Sequence, residues 1–253
     1  MRRSLLAIPA VSGLIMADPA VAADLPAKAP APIPPFTWTS CYAGGHVGGA
    51  WATKDMTDPV QLVQDQLLGF AATIDTTTAS GRPSGLIIGG QIGCDYQFAS
   101  NWVIGLEGAI SGSTLQGTVT LPLPLGDPGD QAAAKATTDM IPSVTARFGF
   151  AWDRWLLYAK GGVAWADDRF NVTGTFMGTP FNFQGLDFRT GWTVGAGVEW
   201  AIWEYWSVKL EYDYYDFGRG TVQMSDNVLV LSGPVDVKQT VQSVRLGLNF
   251  HVW

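Results

Sequence analysis

The feature that most constrains this chain is a two-residue hydrophobic alternation that returns eight times between Trp38 and Val252. The first segment is Trp38–Trp51 (WTSCYAGGHVGGAW), and the second sets Leu86, Ile88, Ile92, Cys94, Tyr96 and Phe98 against Gln91, Asp95 and Gln97. The third alternates Trp102, Ile104, Leu106 and Ile110 with Gly105, Glu107 and Ala109. The fourth ends on Val144, Ala146, Phe148, Phe150 and Trp152 with Thr145, Arg147 and Gly149 between them. Trp155, Leu157, Val163 and Trp165 carry the fifth, interleaved with Tyr158 and Lys160, and Trp192, Val194, Ala196, Val198 and Trp200 carry the sixth. The seventh places Trp206, Val208, Leu210, Tyr212 and Tyr214 against Ser207, Lys209, Glu211 and Asp213. The last sets Val244, Leu246, Leu248, Phe250 and Val252 against Ser243, Arg245, Gly247, Asn249 and His251. Alternation sustained this long is the signature of a strand with two unlike faces, and helical spacing does not compete.

The connections alternate too. Ala99–Asn101, Asp153–Arg154 and Ile202–Tyr205 are short, whereas 52–85, 113–138, 166–188 and 218–238 are expected to be loops of more than 20 residues. Loops of that length are out of place in a compact soluble domain. Short turns on one side and long loops on the other are what a transmembrane barrel has. Composition agrees: only 15% of residues are charged and the mean hydropathy is +0.14, yet no apolar run is long enough for a membrane helix. A net charge of −7 without a basic run excludes nucleic acid as a partner, and two cysteines are too few for a zinc framework.

Met1-Arg2-Arg3, the apolar stretch Leu5–Met16 and Ala20-Val21-Ala22 read as a secretory signal peptide over residues 1–22. Residues 23–36 are rich in proline and alanine and read as a periplasmic tether, leaving 37–253 for an all-β, eight-stranded, antiparallel up-and-down barrel.

Tryptophans decide which face meets lipid. Trp38, Trp102, Trp152, Trp155, Trp200, Trp203 and Trp206 fall beside short turns or a chain terminus, and Trp51, Trp165 and Trp192 beside the long connections. Together they are expected to form the aromatic girdles of a barrel crossing both membrane interfaces. The opposite face carries Asp95, Glu107, Glu199, Glu211 and Asp213 with Arg147, Lys160, Lys209 and Arg245. An eight-stranded barrel is only wide enough for side chains to fill, so these charges are expected to pair and plug the lumen.

Trp38-Thr-Ser-Cys-Tyr-Ala-Gly-Gly-His-Val-Gly-Gly49 behind the leader Ala22-Ala-Asp-Leu-Pro26 closely resembles the first strand of small alphaproteobacterial outer-membrane β-barrel proteins. The resemblance continues through Gly89–Gly93, Asn101–Glu107, Leu210–Gly218 and Val244–Phe250. It implies an OmpA-like barrel of the porin family, related to opacity-type surface proteins, in a Gram-negative outer membrane. The partners implied are outer-membrane lipid, lipopolysaccharide and the barrel-assembly machinery. Two departures stand out: Ser40 replaces the usual glycine, and Val252 holds the terminal lipid-facing step with Trp253 one residue beyond.

Aligning Trp38 with Gln97 sets Cys41 opposite Cys94, either as a cross-strand disulfide in an oxidising compartment or as two lipid-facing thiols. His46 and His251 have lumen parity, so serine–histidine chemistry at an accessible surface is not expected. Gly44–Gly49 leads into no helix and is no phosphate loop; its small residues are expected to make room for Arg147, Lys160 or their partners. Pro142 is expected at a bulge or rim. Gln61–Phe70 reads as a short helix or a hairpin extension, the 121–136 connection as flexible, and Asp167–Asp168 as solvated surface charge. No metal, cofactor or enzymatic site is expected. The function indicated is structural, in envelope integrity and surface-loop display, with a small passive channel or a surface adhesin as alternatives.

Overall fold

The computed structural model describes residues 36–57, 78–99, 101–122, 130–226 and 231–252. The proposed signal peptide, the tether up to residue 35 and the Gln61–Phe70 segment lie outside them. Nine antiparallel strands are present: β1 (Ser40–Thr57), β2 (Thr78–Gly81), β3 (Ser84–Phe98), β4 (Trp102–Pro122), β5 (Gln131–Trp152), β6 (Trp155–Phe176), β7 (Thr179–Ala201), β8 (Trp206–Asp226) and β9 (Leu231–Val252). β2 and β3 both pair with β1, Lys54 facing Gly81 and Trp51 facing Ser84, so they lie end to end as one stave interrupted at Arg82–Pro83. β9 pairs back onto β1, with Cys41 opposite Val252. The ring therefore closes with eight staves, and in its lower part every stave is paired on both sides, as a membrane requires of a β structure.

The short turns join β3 to β4, β5 to β6 and β7 to β8. Asp153 takes a left-handed φ of 53° in the two-residue turn between Trp152 and Trp155, a conformation that asparagine and aspartate adopt more readily than most side chains.

The long connections are not the loops the alternation suggests. β6 runs unbroken to Phe176, turns over Met177 and Gly178, both at positive φ, and returns as β7 from Thr179. Two positive φ values in a two-residue connection match the strand twist. The expected loop 166–188 is thus a hairpin, and much of 113–138 and 218–238 is likewise strand. The barrel continues well past its lipid-facing belt.

Polarity reverses along this length. In the lower part, towards the short turns, the outward face is apolar, with Leu86, Ile88, Ile92, Leu106 and Leu157 all about two-thirds exposed, while the interior is charged. In the upper part, Met56, Ala134, Phe170, Val172, Phe181, Phe183, Val235 and Val237 point inward into an apolar core, and the outer face is polar apart from Leu186 and Phe188 on β7. On β1, β6, β7 and β9 the inward parity never changes; only the residues occupying it do. Irregularities in register gather at the boundary, between Gly112 and Leu115, Thr138 and Met140, and Asp216 and Arg219. Bulges of this kind let a strand bend and re-aim its side chains. Pro142 sits two residues inside the bulge on β5.

Of the ten tryptophans expected in girdles, nine face outward, six at or beyond the short-turn strand ends and three within strands that continue past them. Trp102, Trp152, Trp155, Trp200, Trp203 and Trp206 ring the short-turn end, and Trp51, Trp165 and Trp192 the other boundary. Trp155 stacks on Trp200 with centroids 5.5 Å apart, and Trp102 on Phe148 at 5.0 Å. Trp38 is the exception. It is 0% exposed and closes the short-turn mouth from inside, against Val103, Ala151, Leu156, Tyr158 and Ala201. Its parity explains this: Trp38 is in step with Ser40, Tyr42 and His46, all inward, rather than with Cys41 and Trp51.

Candidate functional site: a filled lumen

Inward parity brings the nine expected charges together. Arg147, from β5, reaches Glu199 on β7 at 2.7 Å, Asp95 on β3 at 3.5 Å and Glu107 on β4 at 3.6 Å. Lys160 on β6 contacts Glu107, Glu211 and Asp213 at 3.1, 2.9 and 3.1 Å. Lys209 on β8 lies 2.6 Å from Glu107 and 3.1 Å from Glu211. Arg245 on β9 lies 2.5 Å from Asp213 and 3.4 Å from Glu211. Every stave except β1 contributes a charge, and β1 contributes Tyr42, whose hydroxyl donates to Glu107 at 2.9 Å and accepts from Arg147. Tyr158 donates to Glu211 at 2.7 Å, and Arg147 Cζ lies over its ring, 4.0 Å from the centroid. All nine charged residues are buried. Buried charges are tolerable only when paired and hydrogen-bonded, and here each cation meets at least two carboxylates.

Neutral polar layers extend the network. His46 contacts Gln91 at 2.5 Å and Ser111 at 2.8 Å, Gln91 donates to Asn249 at 2.7 Å, and Asn249 donates to Glu199 at 2.8 Å. The space that Gly44 leaves is filled by Asn249 and Gln91 rather than by Arg147 or Lys160. Above lies an apolar layer of Ala50, Ile87, Leu115, Ile141, Ala164, Tyr215 and Val241.

A second polar layer, missed in the sequence, follows just beyond the Trp51–Trp165–Trp192 boundary. Lys54 donates to Asp168 at 2.7 Å and to Thr138 at 2.9 Å, and Gln239 donates to Asp168 at 3.3 Å. Asp168 is 0% exposed, which corrects its reading as solvated charge. Burial draws the Lys54 ammonium below its ordinary value, opposed by Asp168. Arg189 belongs to the same region: β7 and β8 leave their ladder between Gln184 and Trp192, and Arg189 bridges the interruption. It donates to Val237 O at 2.6 Å and Gly220 O at 3.4 Å, and it pairs with Asp187. The signal was present: Lys54 shares the parity of His46, and Asp168 that of Lys160.

At the short-turn end, His251 lies 2.8 Å from Ser207 and 2.9 Å from Ser40. Ser207 is 0% exposed and bonds Glu199, so this pair sits under the Trp38 cap with no surface for a substrate. Cys41 and Cys94 face each other across β1 and β3, their sulfurs 2.05 Å apart. Val252 takes the lipid-facing position at the last described step, 58% exposed. Among the described residues no group of three or more metal-ligating side chains is found.

From mouth to tip the interior is thus layered: an indole cap, a charge network, an apolar layer, a second ion-paired layer and an apolar core. A closed barrel with lipid-facing aliphatics, two aromatic girdles and a filled lumen is an integral outer-membrane protein. The outer-membrane protein β-barrel domain family matches residues 20–250, and the chain belongs to that family. The 31 kDa outer-membrane immunogenic protein of Brucella melitensis is 29% identical over 249 residues, covering 93% of this chain and 95% of the relative. Its Brucella suis counterpart matches equally. Among solved structures, the outer-membrane protease OmpT of Escherichia coli overlays with a TM-score of 0.50 at 10% identity, covering 87% of this chain and 99% of that one; this likeness is one of fold. The short-turn end is accordingly periplasmic, and the long hairpins are extracellular.

Proposed function

We propose that this chain is a non-enzymatic structural protein of the outer membrane: a sealed barrel that contributes to envelope integrity and holds rigid hairpins at the cell surface. One observation carries this reading. Side chains fill the interior from Trp38 to the upper core, and the charge network connects staves all round the barrel. Such cross-linking fits a strut rather than a conduit. Display is supported by the upper hairpins having an apolar core of their own, and by the Brucella relative being described as immunogenic. The only serine–histidine contacts of the described residues are enclosed, which supports a non-catalytic role.

Planar-bilayer recording of the purified protein tests the sealed lumen. Silence, or rare small openings, is expected; stable large conductance would make a passive channel the better reading. Deletion of the gene is expected to raise detergent sensitivity, and complementation with a variant shortened to the lipid-facing belt separates the two halves of the role. Restoration by the shortened barrel assigns integrity to the membrane part alone.

A further inference from the structure

The Cys41–Cys94 bond lies on the outside of the barrel, on its lipid-facing wall. We propose that it is made before the chain enters the membrane, by thiol–disulfide exchange with a water-soluble dithiol oxidase of the periplasm, and that lipid shields it afterwards. The inference rests on the outer-membrane placement of the chain and not on its structural role.

Position is the first argument. Cys41 shares the outward parity of Ala43, Val47 and Trp51 on β1, and Cys94 that of Ile88, Ile92 and Tyr96 on β3. The same rung continues to Leu106 on β4 and to Val252 on β9. Ile92, Tyr96, Leu106 and Val252 are each more than half exposed on the wall, so in the membrane the two sulfurs lie among apolar surface that lipid covers. An oxidase must bring its own sulfur into bonding distance of Cys41 or Cys94. In the inserted barrel that space is held by lipid.

Chemistry is the second argument. One cysteine of the chain, as thiolate, attacks the oxidase disulfide; a mixed disulfide forms and one oxidase thiolate leaves. The other cysteine then attacks the chain's sulfur in that mixed disulfide, the Cys41–Cys94 bond forms and the second oxidase thiolate leaves. The chain gives up two electrons and two protons, and the oxidase disulfide takes them up as two thiols. Both steps need a thiolate. The outward neighbours Thr39, Ala43, Ile92 and Tyr96 carry no charge to stabilise one, and an unpaired anion facing lipid is costly. In water the unfolded chain meets neither obstacle.

Register is the third. A slip of one residue between β1 and β3 would turn inward side chains such as Tyr42 and His46 to the other face. A bond set while the chain is still in water holds Cys41 opposite Cys94, so these two strands reach the membrane already aligned.

The test starts from the full chain, reduced and unfolded in urea. One portion meets a purified dithiol oxidase in its disulfide form before folding. The other is folded first into lipid bilayer discs, which leave both faces open to buffer, and meets the same oxidase afterwards. Heat-modifiable migration checks folding, and thiols are counted after denaturation. The folded portion is expected to oxidise at least about tenfold more slowly than the unfolded one, and equal rates overturn the proposal. A reduced chain that fails to fold supports the same order, because the bond is then needed first. Thr57 and Asp236 face each other above the outer girdle. Thr57→Cys with Asp236→Cys, in a chain whose own cysteines are replaced by serine, is expected to oxidise readily in the folded barrel. Resistance there equal to that of the native pair would remove lipid as the cause and overturn the proposal. The finished native bond is expected to resist a charged phosphine until urea unfolds the barrel; reduction at the same rate in both states overturns the shielding.

Discussion

The lower and upper halves of this barrel are built on the same staves with opposite polarity. Below the extracellular girdle, aliphatic side chains face out and a charge network fills the interior. Above it, phenylalanine, valine and alanine face in and the outer wall is polar. Most ladders run through both halves, those of β1 with β9 and β6 with β7 without a break, whereas the ladder of β7 with β8 is interrupted only above the girdle. What differs is the solvent against which each half is stabilised. The upper half buries apolar surface away from water and gains the hydrophobic free energy that a soluble domain gains. The lower half has lipid outside, where burial of apolar groups contributes little, and its specificity lies in polar contacts across the lumen.

The sharpest way to break this contrast is to remove a cation from each half. Arg147→Met removes the cation that Asp95, Glu107 and Glu199 share and leaves Asp95 without an ion pair among the described residues; it is expected to cost about 3–5 kcal/mol, read as a lowered urea midpoint in lipid bilayers. Arg169→Met, in an exposed pair, is expected to cost about 0–1 kcal/mol in the same assay. Next comes a charge placed outward. Leu106→Arg, at mid-belt, should destabilise by about 2–4 kcal/mol, whereas Thr175→Arg, at an equivalent outward position near the hairpin tip, should stay within about 0.5 kcal/mol.

The disulfide should act on the lower half alone. Cys41→Ser with Cys94→Ser is expected to cost about 2–4 kcal/mol, and native protein should resist alkylation until reduced; free thiols in exported material would refute the bridge. In the upper half, Val237→Ala removes buried apolar surface worth about 1.5 kcal/mol. Its effect should appear as faster proteolytic nicking of the hairpins while heat-modifiable migration is unchanged. The smallest effect is on pH. Because burial lowers the Lys54 pKa, the folded chain releases this proton before the unfolded one does as pH rises. Stability should therefore climb between the two values, and Lys54→Met should flatten that slope in alkaline melts.

The lower half was legible in the sequence because alternation between aliphatic and polar residues is strong there and both rims are marked by indoles. All eight staves, the inward charges and the facing of Cys41 with Cys94 could be placed from spacing alone. The upper half was not legible, for a definite physical reason. When Trp165 gives way to Ala166, Phe170 and Val172, the apolar set moves from odd to even positions while the strand continues. A reader following the apolar phase sees the pattern break and infers a loop. On β5 and β8 a bulge adds a true change of phase. Lys54, Asp168 and Arg189 were lost with that half, although counting parity past the girdle would have placed all three inside. Trp38 differs for the reverse reason: its residue type suits a girdle, but its parity is the inward one of Ser40, Tyr42 and His46.

The reversal of polarity also fixes how deep the molecule sits. On β6 the apolar outward face extends from Trp155 to Trp165, about 25 Å once strand rise and tilt are combined. Lifting the barrel by one side-chain pair would raise Trp165 into water, and lowering it would press Asp167 and Arg169 into hydrocarbon. The staves therefore carry a waterline. A bilayer of another thickness must bend to meet it, which makes the barrel a gauge of the membrane it stands in.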